Sequence, residues 1–331
     1  MQSHRILGQS GLRASRIGLG CMGMSDLYGT ADEKKSLETI RAALEAGINL
    51  LDTGDFYGMG HNELLIGRAL KDFAREKVLL SVKFGALRDP GGNWIGFDSR
   101  PEAIRNFIAY SLRRLDTDYI DIYRPARLDP NVPIEETIGA ISDLVKAGYV
   151  RAIGLSEVGS ETIRRAAKIH PIADLQIEYA LTSRSFERSI LPTCRELGIA
   201  TTAYGVLGRG LLGGNWRKDQ SAKAGDIRTT IPRLQGENLL YNLQLVERIR
   251  VIARAYNVPI SQIAIAWALS KGDDIFPIIG ARQLDQILDT INALKITLDS
   301  YDISQLDLIG ELVLGTRYAA PQMAHLDSEQ G

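Results

Sequence analysis

Three polar side chains near the ends of two short apolar segments could act together on a carbonyl group. Asp52 follows the apolar run 48–51, Tyr57 lies in the glycine-bounded loop that comes next, and Lys83 follows a second apolar run at 78–82. If these runs are neighbouring parallel strands, the side chains meet at the carboxyl ends, where barrels and open α/β sheets carry their sites. A lysine beside an aspartate stays charged, and we expect that charge to lower the pKa of the nearby phenol. Such a tyrosine is suited to protonating a carbonyl oxygen while hydride reaches the carbon.

A buried structural ion pair is the alternative interpretation of Asp52 and Lys83, because barrels also contain such pairs. The tyrosine in the adjoining loop favours a functional site over that alternative. A lysine at this position could also form a Schiff base, as in lyases built on barrels. An aspartate beside it argues for a charged amine that is not a nucleophile.

Composition excludes several classes of protein. The 331 residues are 45% hydrophobic and 24% charged, as in globular proteins, and the net charge of −1 offers no electrostatic attraction to nucleic acid or an anionic membrane. The two cysteines, Cys21 and Cys194, form no CxxC motif, so neither a disulfide framework nor a metal site is predicted. The first residues lack the apolar core of a signal peptide, and no apolar run approaches the ~18 residues that span a bilayer. We therefore expect a cytoplasmic location.

Helical segments that end at glycine alternate with short apolar strands along most of the chain. The first such strand is at 17–20 and the last at 275–279, and eight strand–helix units can be counted. Alternation predicts a parallel sheet, and eight units at this length predict an α/β protein with a (β/α)8 TIM barrel. Residues 5–17 are expected to form an N-terminal β-hairpin that turns at 9–11. An open doubly wound sheet is the alternative, disfavoured because no convincing second half is present.

No linker-like stretch divides the chain, so we predict a single domain over residues 1–331. Three connections are longer than ordinary loops, namely 85–98, 207–236 and the tail beyond 298. We expect these long loops at the C-terminal face of the barrel, where long loops usually shape a pocket. The tail is a candidate to fold back over the barrel, although the sequence does not place it.

A glycine motif near the N-terminus resembles a dinucleotide-binding fingerprint but lacks its context. Residues 18–23 match G-x-G-x-x-G, yet the next helix starts only near Asp32. The Rossmann fingerprint requires a helix that opens within the glycines, so that pyrophosphate meets its N-terminus. We therefore interpret residues 18–23 as a tight turn at a strand end that lines the pocket.

The chain resembles the aldo-keto reductases along nearly its whole length. The motifs that carry the resemblance are LRASRIGLGCMGM at 12–24, LDTGDFYG at 51–58, Lys83, IGLSE at 153–157, AYGVLGRGLL at 203–212 and IGAR at 279–282. So many motifs in the same order are specific. The resemblance implies a (β/α)8 barrel that binds NADPH without a Rossmann domain and reduces aldehydes and ketones.

The resemblance also implies roles for individual residues. Tyr57 would be the proton donor, Lys83 would lower its pKa, and Asp52 would hold the lysine. The implied cofactor-binding residues are Gly23, Met24, Ser156, Glu157, Gln176, Tyr204, Gly205, Leu207, Arg209, Gly280, Arg282 and Gln286.

Within this set, the family pattern assigns each part of the cofactor to a different group of residues. Ser156 and Gln176 would hydrogen-bond the carboxamide, Tyr204 would stack on the nicotinamide, and segment 207–210 would cover the pyrophosphate. Arg282 would bind a 2′-phosphate bidentately. Its alternative interpretation is a solvated arginine at a helix start.

One departure from the family concerns its active-site histidine, which Ala126 replaces in the motif YRPARLDP at 123–130. An oxyanion donor of this kind contributes roughly 2–4 kcal/mol. Strand alternation places Arg124 on the same face as Ala126 and one layer deeper. We hypothesise that Arg124 rises into the vacated space as a catalytic residue that binds substrate, the alternative being a pair with a barrel carboxylate. Glu157 is a second departure from the family, in which an asparagine is common at this position. An ionised glutamate can only accept hydrogen bonds, whereas an asparagine can also donate them.

The sequence predicts an apolar and aromatic pocket wall, with Phe56, Trp94 and Ala126 facing the substrate. The overall prediction is an NADPH-dependent oxidoreductase that reduces a small-molecule aldehyde or ketone, with a homo-oligomer left open as its assembly. A catalytically weak, NADPH-binding regulatory or sensor protein of the same fold is the alternative.

Overall fold

The computed structural model describes residues 4–25, 27–214, 216 and 226–330. The strands of this part of the chain are β1 (His4–Ile6), β2 (Arg13–Ser15), β3 (Gly18–Gly20), β4 (Leu50–Gly54), β5 (Leu79–Phe84), β6 (Ala86–Arg88), β7 (Trp94–Phe97), β8 (Ile120–Pro125), β9 (Val150–Ser156), β10 (Ile172–Glu178), β11 (Ala200–Tyr204) and β12 (Ile275–Gly280).

Eight of these strands close into a parallel barrel in the order β3, β4, β5, β8, β9, β10, β11 and β12, with β12 pairing back to β3. β1 and β2 form the antiparallel hairpin that precedes the barrel. The predicted (β/α)8 TIM barrel with an N-terminal hairpin is thus confirmed, and the alternative of an open doubly wound sheet is wrong.

Helices surround the barrel. They are α1 (Glu33–Glu45), α2 (His61–Leu70), α3 (Pro101–Leu115), α4 (Ile134–Lys146), α5 (Ser160–Ile169), α6 (Ile190–Glu196), α7 (Gly236–Ala255), α8 (Ile260–Ser270), α9 (Leu284–Ala293), α10 (Ser300–Glu311) and α11 (Ala320–Ala324). Within the described ranges, every helix is too short or too polar to cross a membrane.

The helices form because their apolar residues recur at helical spacing and because their ends carry stop and start signals. In α4, Ile138 and Ile141 share one fully buried face, and burying such a side chain stabilises the fold by roughly 1.5–3 kcal/mol. The Asp32 side chain caps α1 by accepting from the backbone of Lys35. Gly148 follows α4 with φ of 85°, a conformation that favours glycine and ends the helix.

Alternation along the barrel strands separates an apolar bottom from a polar top. At the hairpin end, inward side chains such as Leu50, Leu79 and Phe276 pack against Leu7 and Leu12 of the hairpin. Several strands then continue with a polar inward residue two positions later, such as Asp52, Ser81 and Thr202. The hairpin therefore closes one end of the barrel, and the polar side chains gather toward the other.

The three long connections lie at this C-terminal end, as predicted. Residues 85–98 contain the antiparallel pair β6 and β7, and the tail contains α10 and α11. Part of the connection 207–236 is described as short 3₁₀ turns at 208–213, 227–230 and 232–234, while residue 215 and residues 217–225 lie outside the described residues.

Candidate active site

A cavity of about 710 Å³ opens at the carboxyl ends of the barrel strands, within the size range of small-molecule sites. Of the residues predicted to form the site, those lining it are Gly23, Asp52, Phe56, Tyr57, Lys83, Trp94, Ala126, Gln176, Tyr204, Gly205, Leu207, Arg209, Gly280, Arg282 and Gln286. Four predicted residues do not line it: Met24, Arg124, Ser156 and Glu157. No group of three His, Cys, Asp or Glu side chains in the described ranges could hold a metal ion.

Lys83 and Asp52 form a buried ion pair at the floor of the cavity, as predicted. The lysine Nζ lies 2.7 Å from Asp52 Oδ2, and the two residues are 4% and 5% exposed. Ser81 and Gln176 also donate to Asp52, at 2.9 and 2.7 Å. Burial lowers the pKa of Lys83, and the Asp52 carboxylate opposes that shift. The aspartate is therefore held by three donors and in turn fixes the lysine.

Tyr57 lies beside this pair, with Lys83 Nζ at 5.2 Å from the centre of its ring. Among the described residues its hydroxyl has no hydrogen-bond partner. Burial and the Asp52 carboxylate raise the pKa of Tyr57 well above its usual value, whereas Arg127 and Arg209 oppose the shift. The expected lowering of this pKa by Lys83 stays a prediction, since the ammonium lies 2.7 Å from Asp52 and 5.2 Å from the centre of the ring. The phenol stays protonated and keeps a proton to donate.

Arg124 is not a substrate-binding residue. It is fully buried one layer below the cavity, where its guanidinium donates to both oxygens of Asp174 at 2.9 Å and to Thr202 at 3.3 Å. Gly154 leaves the space for this pair, since a Cβ there would lie 2.6 Å from Asp174 Oδ1. The catalytic hypothesis for Arg124 is wrong, and the alternative of a barrel ion pair is confirmed.

The Glu157 carboxylate is likewise occupied by hydrogen bonds from other residues of the protein. Its carboxylate accepts from Arg317 at 2.6 and 2.9 Å, from Tyr204 Oη at 2.7 Å, from Ser328 Oγ at 2.8 Å and from the backbone of Glu178 at 2.9 Å. Although burial alone would raise it, the Arg317 guanidinium holds the pKa of Glu157 well below its usual range. Glu157 thus anchors the C-terminal tail, and its predicted cofactor contact stays a prediction.

Met24 and Ser156 lie next to the cavity without lining it. Met24 ends the 3₁₀ turn Met22–Met24 and its side chain packs in the main hydrophobic core, and its predicted cofactor contact stays a prediction. Gly20 and Gly23, in the same strand-end turn, do line the cavity, which confirms the turn interpretation of the glycine motif. The Ser156 hydroxyl is buried and has no hydrogen-bond partner. Its predicted contact with a carboxamide stays a prediction.

Arg209 and the tail together cover one side of the cavity. Arg209 donates to Glu178 at 3.0 Å and to Tyr318 Oη at 2.8 Å, and its guanidinium lies 5.1 Å from the centre of the Tyr204 ring. Tyr318 Oη is also 3.0 Å from Tyr204 Oη. Sequence reasoning missed Tyr318, because its partners are more than a hundred positions away in the chain.

Arg282 occupies the opposite end of the cavity from the tail contacts. Its guanidinium donates to the backbone carbonyls of Tyr28 and Thr30 at 3.1 and 2.5 Å, and Gln286 accepts from its backbone nitrogen at 2.7 Å. Within the described ranges it has no carboxylate partner. Arg282 is therefore a cation whose charge is available to a ligand.

The predicted aromatic wall is present, and it contains one cation that sequence reasoning missed. Phe56 and Trp94 are in edge contact with ring centres 5.6 Å apart. Arg127, directly after Ala126, lines the cavity and donates to the Ala126 carbonyl at 2.6 Å. The sequence feature that could have indicated this role is the position of Arg127 beside the replaced histidine. Alternation along the strand does not predict the direction of the Arg127 side chain, because β8 ends at Pro125.

The histidines of the chain do not replace the missing imidazole at β8. His61 begins α2, and its side chain bonds Ser25 and Glu33 outside the cavity. His325 of the tail lines the cavity instead.

Comparisons with known proteins agree with this geometry. The model of the aldo/keto reductase family matches residues 16–311. A probable aldo-keto reductase 1 of Glycine max is 40% identical over 301 residues, which are 91% of this chain and 86% of that protein. The NADP(+) aldo-keto reductase yakc of Schizosaccharomyces pombe is 37% identical, with 91% of each chain covered. The structure of a glycerol dehydrogenase from Gluconobacter oxydans superposes with a TM-score of 0.86 at 29% identity, covering 96% of this chain and 98% of that one. The chain belongs to the aldo/keto reductase family.

Proposed function

We propose that this protein is an NADPH-dependent oxidoreductase that reduces an aldehyde or ketone to an alcohol, with Tyr57 as the proton donor. The observation that carries the proposal is the Tyr57 hydroxyl, which has no protein partner in the described ranges and lies beside the 2.7 Å pair of Lys83 and Asp52. A carbonyl oxygen at that hydroxyl would meet an acid in a water-poor site. This arrangement suits general acid catalysis.

The residues present fit a phosphorylated dinucleotide. Gly20, Gly23 and Gly280 leave the wall open to close backbone approach, and Arg282 offers a guanidinium without a carboxylate partner in the described ranges. The buried Ser156 hydroxyl lacks a partner and is suited to a carboxamide. A relative that is 37% identical carries NADP(+) in its name. When bound, the reduced nicotinamide supplies hydride to the carbonyl carbon.

The chain's own side chains would hold and move the proton. Tyr57 keeps it until negative charge develops on the carbonyl oxygen. The positive charge of Lys83 then stabilises the phenolate that remains, since its ammonium lies 5.2 Å from the centre of the ring. Asp52 keeps the lysine amine charged and fixed, which also argues against a Schiff-base lyase.

A catalytically weak NADPH-binding regulatory or sensor protein is the second candidate. Ala126 favours it, because a methyl group stands where the family carries the imidazole that hydrogen-bonds the carbonyl. This alternative would keep cofactor binding and lose most turnover.

An NADPH-oxidation screen over aldehydes, ketones, quinones and pyridoxal-type carbonyls tests the proposal. Tyr57→Phe should lower kcat by about 10²- to 10⁴-fold, the usual contribution of a positioned acid. Tyr110→Phe is the matched control, since Tyr110 is 57% exposed on α3 and outside the cavity. Full activity of Tyr57→Phe would refute the role of the acid. Tight NADPH binding without turnover of any carbonyl would favour the regulatory candidate.

A further inference from the structure

Arg127 is a cation in the cavity wall that the proposed proton transfer does not use. It follows the end of β8 directly after Ala126 and lines the cavity together with Tyr57 and Lys83. Its positive charge acts on both of those groups, since it opposes the raised pKa of Tyr57 and adds to the lowered pKa of Lys83. The guanidinium is therefore close to the reacting end of the cavity, whereas Arg282 marks the far end.

Among the described residues, Arg127 lacks the ion pair that Arg209 and Arg228 each make in the cavity wall, although the Glu157 carboxylate also acts on its charge. Arg209 pairs with Glu178 at 3.0 Å, and Arg228 pairs with Asp226. Within the described ranges, Arg127 makes no ion pair, and its one hydrogen bond goes from Nη1 to the Ala126 carbonyl. A guanidinium has five N–H donors, so most of the donors of Arg127 remain for a ligand.

The surroundings of Arg127 suit an anion with an apolar body. The side chain is half-buried, so a ligand in the cavity reaches it while bulk water is partly excluded. Phe56 and Trp94 supply an aromatic wall in the same cavity. A planar guanidinium binds a carboxylate with two parallel hydrogen bonds, which are roughly twice as strong as neutral ones.

We propose that Arg127 is a specificity-determining residue that binds a carboxylate on the substrate, so that the preferred substrates are carbonyl compounds that also carry an acid group. This inference rests on the proposed carbonyl reduction and names its substrate class. The anion is held by Arg127 while the carbonyl oxygen faces Tyr57.

The test compares 4-carboxybenzaldehyde with 4-formylbenzamide, which has nearly the same shape and no charge. In the wild type, kcat/KM for the acid should exceed that for the amide about 10- to 100-fold, the range expected when a charged group is hydrogen-bonded. Arg127→Met should abolish this preference, mainly through KM for the acid, and leave the amide within about threefold. Arg127→Lys, which keeps the charge without the planar fork, should fall between. Arg105→Met, an exposed arginine on α3 outside the cavity, is the matched control and should behave as wild type.

A binding measurement separates this inference from the proposed function. Calorimetry with benzoate and benzamide on the NADP⁺-saturated protein should show benzoate bound at least about tenfold more weakly by Arg127→Met, with benzamide unchanged. If no carbonyl is reduced but this loss is seen, the carboxylate site stands and the reductase proposal fails. If carbonyls are reduced and Arg127→Met changes neither the acid-to-amide ratio nor benzoate affinity, the inference is overturned and the reductase proposal stands. An equal loss for acid and amide would also overturn it, because Arg127 would then act on the carbonyl itself.

Discussion

Replacing Arg317 with methionine should release the C-terminal tail from the barrel and lower the stability of the fold. Arg317 is 4% exposed, and its guanidinium donates twice to Glu157 and once to Glu329. Through this contact the tail residue Tyr318 reaches Tyr204 and Arg209 in the cavity wall. One substitution therefore tests both the anchoring of the tail and its contribution to the site.

The expected loss in the free energy of unfolding follows from the Glu157 charge that stays buried without Arg317. Removing one partner of a buried ion pair costs about 3–5 kcal/mol, since the other charge stays buried without compensation. Glu157 would still accept from Tyr204, Ser328 and the backbone of Glu178, so we expect the lower end, about 3 kcal/mol.

Urea unfolding at several pH values measures this effect. The lowered pKa of Glu157 means that its contribution is fully present above the usual glutamate value near 4.3 and is lost as the pH falls below it toward the folded pKa. The difference between wild type and Arg317→Met should thus be full at pH 7 and shrink below about pH 4. kcat/KM should fall as well, because Tyr318 loses its fixed position.

A surface ion pair of similar geometry provides the control. Arg165 binds Glu135 through two hydrogen bonds at 2.7 and 2.8 Å, but both side chains are more than a third exposed. Arg165→Met should therefore leave the urea midpoint close to that of the wild type. If Arg317→Met is no more destabilising than Arg165→Met, or if its effect does not depend on pH below 5, the account of the tail is refuted.

Three further substitutions address the floor of the cavity and its surroundings. Lys83→Met should reduce kcat at least about 100-fold, because Asp52 remains as an unpaired anion beside the phenol; single-turnover kinetics would show it, and unchanged chemistry would contradict it. Arg124→Met should cost about 3–5 kcal/mol in urea unfolding by leaving Asp174 buried and unpaired, whereas Arg124→Met combined with Asp174→Leu should recover most of that loss. Burial raises the pKa of Asp55 to about 8, so this carboxyl is protonated when folded and ionised when unfolded between about pH 4 and 8, and stability falls as pH rises through that window. Asp55→Asn should accordingly stabilise more at pH 8 than at pH 5, and an equal effect at both would contradict the shift.

The architecture and the floor of the site could be predicted from local sequence patterns. Apolar runs of strand length, helices that end at glycine and their eightfold repetition are signals that each lie within a short stretch of chain. The alternation of side chains along each strand also places Asp52 and Lys83 in the barrel interior, where they pair. These features are set by neighbouring residues, and so they can be read before any tertiary contact is known.

The errors arose where a side chain's partner is distant in sequence or where a regular element ends. Arg124 was assigned to the correct face, but its partner Asp174 is 50 residues away, and only that pairing shows that it stays below the cavity. Glu157 and Arg317 are separated by 160 residues, so no local pattern reveals that the glutamate is occupied. Arg127 lies beyond the end of its strand, where alternation no longer predicts direction.

The two ion pairs stacked inside the barrel have a consequence for how substrate choice could change. The pairs Lys83–Asp52 and Arg124–Asp174 each have zero net charge. The barrel interior below the cavity therefore contributes little net electric field at a bound ligand. A substitution at position 127 could then reverse the preference between anionic and neutral ligands without lowering the stability of the barrel. Substrate preference and fold stability could then be changed independently, which makes position 127 a practical starting point for redesign.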